Sequence, residues 1–203
     1  MPPITLKLFP VTTPDIHSLI TIWFAAFSGD PTLRRLFPDT AGVRAWLTAA
    51  NQHDLSHKPF QKYVKVVDPD AVDSEGKTHE RIVAYAKWDT SSPEHRGSRY
   101  PPWHEDIPAL ECEEFFQREE TERERVMGKT KHYYLDTLVT HPDYHRRGAG
   151  SMLLQWGCDL ADSDGVALYV DASKAGAPLY ERFGFVDEGL SGSWDVASMV
   201  RPR

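Results

Sequence analysis

Apolar residues recur three and four apart from Ile16 onward: Leu19, Ile20, Trp23 and Phe27 share one helical face before Ser28-Gly29-Asp30 ends the run. Thr13-Pro14-Asp15 supplies the start, with an N-cap, a proline at the first helical position and an acid in the first turn. Pro31 to Phe37 predicts a short second helix. Val43 to His53, carrying Trp46, Leu47 and Ala50, predicts a third. Alternation replaces helical spacing in Ile4 to Leu8, and Tyr63 to Val67 and Ile82 to Trp88 are further strands. The polar stretch Asp68 to Glu80 between the last two, with Pro69 and Gly76, reads as a long hairpin loop.

The second half has a different rhythm. Pro108 to Val126 predicts a helix dense in Glu and Arg, with Leu110, Phe115 and Phe116 as its apolar side. Tyr133 to Thr140 is a strand, and Gly148 to Asp162 a helix whose stripe is Met152, Leu153, Trp156, Leu160 and Ala161. Ala167 to Val170 is a strand, Ala177 to Phe183 a helix, Phe185-Val186 begins another strand, and Trp194 to Val200 closes the sheet. A strand–helix–strand run of this kind implies a parallel pair with a right-handed crossover. The fold class is therefore mixed α/β, in one domain spanning residues 1–203. Residues 90–130 stand out as a long insertion, and connections of that length are uncommon unless they have a use, such as covering a cleft.

Composition narrows the function. With 203 residues and 40% hydrophobic content the chain can bury one full core. Its net charge of −7 argues against a nucleic-acid surface. Cys112 and Cys158 lack metal-ligand spacing and read as thiols of a reducing compartment. Neither a signal peptide nor a membrane span is legible, so a soluble cytoplasmic protein, monomeric or homodimeric, is expected. Nine histidines are scattered without converging partners, so no metal site is expected. The acids Glu111, Glu113, Glu114, Glu119, Glu120, Glu122 and Glu124 read first as a solvated helix face and second as attraction for a cationic acceptor.

The strand from Tyr133 runs through His141-Pro142 into His145-Arg146-Arg147-Gly148-Ala149-Gly150-Ser151, and a helix follows at once. Two glycines let successive N–H groups converge, and a helix start adds unpaired donors and the positive end of its dipole. That arrangement holds a phosphate or pyrophosphate, with two arginines to meet further anionic oxygens. A P-loop would need Gly-Lys-Ser/Thr, and a dinucleotide turn would need glycine where Leu153 stands.

Together with Ala177-Pro-Leu-Tyr-Glu-Arg-Phe-Gly-Phe185 downstream, this segment resembles the core of the GCN5-related N-acetyltransferase (GNAT) superfamily, in particular filamentous-fungal small-molecule members. The resemblance is close over residues 133–186 and departs at His145, where the family prefers Gln or Arg. It implies a GNAT-like fold, a mostly antiparallel sheet with one splayed parallel pair, and acetyl-CoA as co-substrate. It implies pyrophosphate on Arg146, Arg147, Gly148, Ala149, Gly150 and Ser151. Pantetheine is expected on the backbone of Leu138, Val139 and Thr140, like an added strand, and Ser173 stands where an asparagine often touches it.

Tyr180 matches the family's tyrosine that protonates the departing thiolate, a step a phenol can perform. Strand alternation places Tyr134, Asp136, Leu138 and Thr140 on one face. The resemblance makes Asp136 the favoured base for the acceptor amine, with Tyr134 as the alternative. The expected activity is acetyl transfer to a primary amine of a small molecule through a ternary complex. A protein or peptide acetyltransferase, or a non-catalytic acyl-CoA-binding regulator, are the alternatives.

Overall fold

The computed structural model describes residues 5–73, 75–190 and 196–203; the beginnings of the first and last expected strands, at Ile4 and Trp194, lie outside them. A seven-stranded sheet forms the middle layer: β1 (Lys7–Pro10), β2 (Gln61–Val72), β3 (Thr78–Asp89), β4 (His132–Thr140), β5 (Ala167–Ser173), β6 (Val186–Asp187) and β7 (Val196–Arg201). Its order is β1-β2-β3-β4-β5-β7-β6, and only β4 and β5 run parallel. The hairpin is longer than its sequence suggests. Strands β2 and β3 continue to Val72 and from Thr78, absorbing most of the expected loop through two register shifts. Pro69 sits within the second shift, where a missing N–H breaks no ladder bond.

The first four helices, α1 (Ile16–Ala26), α2 (Pro31–Leu36), α3 (Ala41–His57) and α4 (Ala109–Met127), cover one face. Side chains fix their starts. Thr12 and Asp15 form a capping box before α1, Asp30 accepts from the Leu33 N–H at 2.9 Å, and Thr40 accepts from Val43 N–H at 3.1 Å. Ile16, Leu19, Ile20, Trp23 and Phe37 meet Tyr63, Tyr85 and Val139 of the sheet in this layer's core. On the opposite face, α5 (Ala149–Asp164) and α6 (Ala177–Glu181) pack on Ala84, Ala86, Trp88, Leu135 and Leu168. A Cβ at Gly157 would collide with the Trp88 indole, so glycine there lets the helix lie close to the sheet. Gly165, at φ 64°, ends α5 in the left-handed conformation that suits glycine. Both cysteines are buried and free, one on each side of the sheet. Among the described residues no helix is long and apolar enough to cross a membrane.

Candidate active site

Two irregularities in β4 build the site. Thr137 pairs with Lys87 and Leu135 with Trp88, leaving Asp136 as an extra residue in a β-bulge. The bulge moves the alternation on by one. Tyr133, Leu135 and Leu138 all pack toward α5, while Val139 faces α1. Tyr134 and Asp136 therefore do not share a face with Leu138 and Thr140, whose side chains approach Gly150 of α5. The second irregularity is where the parallel pairing stops. Residues 132–135 pair with residues 167–170, and from Asp136 and Asp171 onward the strands have no mutual register. A gap opens there.

Beyond the gap, β4 runs into the glycine turn. Arg146 (φ 60°) and Gly148 (φ 89°) take left-handed conformations on either side of Arg147, and alternation of this sort turns backbone N–H groups into an anion-binding concavity. The first helical bond of α5 is Met152 N–H to Gly148 carbonyl, at 3.0 Å, so the N–H groups of Ala149, Gly150 and Ser151 remain as the helix's open donors. Arg146 and Arg147 are exposed beside them, and the Arg147 guanidinium lies over the Tyr144 ring. His145 donates from Nε2 to the Thr140 carbonyl at 3.0 Å, tying the turn to the end of β4. A Cβ on Gly150 would meet Leu179 at 3.3 Å, with Leu138 and Thr140 just behind. Close approach of α5 to the gap thus depends on that glycine.

A cleft of about 760 Å³ passes through the gap. Its wall includes Leu135 to Leu138 of β4, Asp171 and Ser173 of β5, and Tyr180 of α6. Helix α4 and the loop before it supply Arg99, Tyr100, Phe115, Phe116 and Glu119, and the α1–α2 region supplies Trp23, Phe27 and Phe37. Tyr180 is buried against Phe185, which pushes its phenol above the ordinary range. Among the described residues nothing hydrogen-bonds its hydroxyl. Ser173 Oγ accepts from Gly176 N–H at 3.2 Å and so closes the turn into α6.

Asp136 has a side chain only 6% exposed and sits among cations. Arg99 Nε is 3.2 Å from Oδ2, and an Arg99 terminal nitrogen donates to the Asp136 carbonyl at 2.8 Å. Lys87 Nζ is 3.7 Å from Oδ2, and Thr137 donates its hydroxyl at 2.7 Å. Burial alone would raise this carboxyl. Arg99, Lys87 and the Thr137 bond outweigh it and bring the group down to about 2. The expectation of a base at Asp136 required the opposite shift, because a carboxylate that binds protons only near pH 2 has little pull on an ammonium. Tyr134, the alternative, is surrounded by Arg96, Arg99 and Arg123 and held well above the usual phenol range by burial.

Several site groups escaped the sequence reading. Lys87 and Arg99 are the partners that fix Asp136, and Asp54 of α3 in turn takes Lys87 at 2.8 Å. Glu119 is buried instead of lying on a solvated face, and accepts from Arg99 at 2.8 Å. His132 is likewise buried rather than placed in a loop, and desolvation lowers it to about 4. Asp171 lines the gap opposite Asp136. The resemblance singled out Asp136; the signal available for Asp171 was an acid within the apolar run from Ala167 to Ala172. Among the described residues no group of three His, Cys, Asp or Glu is placed to hold a metal.

Residues 111–185 match the sequence model of the acetyltransferase (GNAT) family. An acetyltransferase of Stachybotrys chartarum is 34% identical over 90 residues, which make up 44% of this chain. The match covers 38% of that curated relative's length. The structure described as histone acetyltransferase HPA2 and related acetyltransferase from Corynebacterium glutamicum superposes with a TM-score of 0.61 at 26% identity, covering 98% of this chain and 96% of that one. PaiA N-acetyltransferase from Thermoplasma acidophilum, solved in complex with coenzyme A, gives a TM-score of 0.54 over 98% and 99% of the two chains. At 11% identity that second likeness is one of fold. Sequence match, sheet order and the strand–turn–helix geometry agree: residues 111–185 match the GNAT acetyltransferase model, and the chain has the GNAT fold.

Proposed function

We propose that the protein transfers an acetyl group from acetyl-CoA to a primary amine of a small molecule, with both substrates bound together. The observation that carries this reading is the cleft itself, where the unpaired stretch of β4 and the Tyr180 phenol lie under α4, with the anion-binding turn beside Leu138 at the end of the same strand. Past Leu135, β4 has no partner on its β5 side among the described residues, so the backbone of Leu138, Val139 and Thr140 is available to an extended pantetheine arm. The pyrophosphate takes the donors of Gly148 to Ser151 and the charges of Arg146 and Arg147, while His145 holds the turn and Ser173 borders the arm. Acetyl-CoA supplies the thioester. Tyr180 hands its proton to the sulfur as the C–S bond breaks. Asp136 takes the role of holding Arg99 and Lys87 in place, with Tyr134 packed beneath the arginines.

A compact acceptor is favoured because α4 and residues 96–103 wall the cleft and present rings to it. The peptide reading draws on the likeness to the Corynebacterium structure described as a histone acetyltransferase and related acetyltransferase. Incubating the protein with acetyl-CoA and separate panels of small amines and lysine-bearing peptides, with released thiol and product mass as readouts, tests the reading. Thiol release with N-acetylated small amines is expected. Transfer to peptides alone would overturn the small-molecule assignment, and no transfer to either would overturn the activity.

A further inference from the structure

We propose that Asp171, with Glu119 beside it, is the subsite that binds the acceptor's ammonium group and takes its proton. This rests on the acetyltransferase reading above and adds the residues that make the acceptor nucleophilic.

The geometry comes first. Asp171 is the first residue of β5 beyond the paired positions, so it stands at the mouth of the gap. Its Oδ1 accepts from the Tyr169 hydroxyl at 2.8 Å. Its Oδ2 is buried and makes no close hydrogen bond among the described residues, although the Tyr134 hydroxyl lies near enough to the carboxylate to favour its charged form. An orphaned carboxylate oxygen inside a protein is costly unless something supplies a donor, and this one lines the same cleft as Tyr180. Glu119 reaches the cleft from α4 and, among the described residues, accepts only from Arg99. Arg99 is already committed to Asp136 through several contacts. Two buried carboxyls thus share Arg99, which is mostly spent on Asp136, while Arg123, the other cation near Asp171, is paired with Glu120 and lies over the Tyr134 ring. An ammonium brings one positive charge and three N–H donors, which is the missing complement. Rings of Trp23, Phe37 and Phe116 nearby suit an acceptor with an apolar or aromatic body.

The acid–base character follows from what surrounds the pair. Arg99 and Arg123, with the Tyr169 and Tyr134 hydroxyls, favour ionised Asp171, while burial opposes it. For Glu119, burial, Asp171 and Asp136 outweigh Arg99. Both carboxyls are raised, each partly or wholly by loss of solvent, so near neutral pH they share a proton and one negative charge. A carboxylate raised in this way is a better base than Asp136 across the gap. In the reaction the nitrogen begins as –NH3⁺ and ends as an amide N–H, so it loses two protons. One goes to the carboxyl pair and then to solvent. The nitrogen lone pair forms the C–N bond, the C–S bond breaks, and the thiolate receives the Tyr180 proton, which the second nitrogen proton replaces.

Asp171→Asn and Glu119→Gln test this with 2-phenylethylamine, a cation at neutral pH, and 2,2-difluoro-2-phenylethylamine, a weakly basic amine that is largely neutral there. Acetyl-CoA affinity is measured on the same samples by calorimetry. For 2-phenylethylamine, Asp171→Asn should lower kcat/KM about 100-fold, in the range of one acid–base group, with partial recovery at high pH and unchanged acetyl-CoA affinity. Glu119→Gln should cost roughly tenfold, a lesser share of the same acid–base effect. The difluoro amine, which already offers its lone pair and skips the first deprotonation, should lose far less in both variants. Equal losses on the two amines would reduce the pair to a structural role and overturn the inference, as would an unchanged kcat/KM. Failure of the wild-type protein to acetylate any amine would instead overturn the activity on which it rests.

Discussion

Asp136 and Asp171 stand one residue beyond the last paired positions of neighbouring parallel strands, and their surroundings give them opposite acid–base behaviour. Asp136 lies in a bulge between Lys87 and Arg99 and is held ionised. Asp171 keeps one oxygen without a close partner among the described residues and is raised by burial. Residue type and strand position are alike, so neither explains the difference. The explanation is which cations the insertion and β3 deliver to each side. The lesson is that a carboxylate in this gap is a clamp when arginine and lysine close on it, and a proton acceptor when they do not.

The largest effect should come from breaking the clamp. Asp136→Asn leaves Lys87 and Arg99 buried without their shared counter-charge, and removing one partner of a buried ion pair costs about 3–5 kcal/mol. Urea unfolding at pH 7 should show that loss; a drop below about 1 kcal/mol, the scale of an exposed pair, would erase the distinction between the two acids. In the parent protein this contribution is complete above the unfolded carboxyl's range, near 4, and fades as pH falls through about 2.

Next comes the turn that the gap leads into. Gly150→Val pushes methyl groups toward Leu179, Leu138 and Thr140 and separates α5 from the end of β4. Overpacking of this kind costs roughly 1–3 kcal/mol, and acetyl-CoA affinity should weaken by about tenfold or more, since tenfold corresponds to about 1.4 kcal/mol. Calorimetry showing unchanged affinity would detach the turn from the donor site.

The smallest effect is the most diagnostic for the comparison. Asp171 is raised when folded, so its contribution favours the fold at low pH and is lost as pH rises through the raised value. Asp171→Asn removes that penalty and should stabilise the protein by roughly 1 kcal/mol at pH 8, the lower end for an unsatisfied buried group. Melting curves of parent and variant from pH 4 to pH 8 would show the gap widening up to about pH 6 and then levelling. A variant less stable than its parent at pH 8 would make Asp171 a second clamp.

Much of this arrangement is written locally. Arg146 to Ser151 announce themselves through glycine spacing and a helix start, because an anion-binding helix N-terminus is made by consecutive residues, whereas Tyr180 was marked by the family resemblance. The bulge at Asp136 is different. It shifts Leu138 to the α5 face through a register set by β3, and alternation along one strand carries no record of its neighbour. The role of Glu119 was hidden for the same reason. Among six other glutamates on α4 it looks like solvent-facing charge, and only the packing of that helix over the gap puts it inside. Arg99 sits in a loop whose path no periodicity encodes.

The central claim is that acetyl transfer happens in this gap, and single-turnover transfer by Tyr180→Phe tests it most directly. The ring stays packed on Phe185 and only the hydroxyl is lost. The account predicts transfer slowed about 10- to 100-fold, a modest loss for one acid group because water can substitute, at unchanged acetyl-CoA affinity. Parent and variant transferring acetyl at the same rate would contradict it.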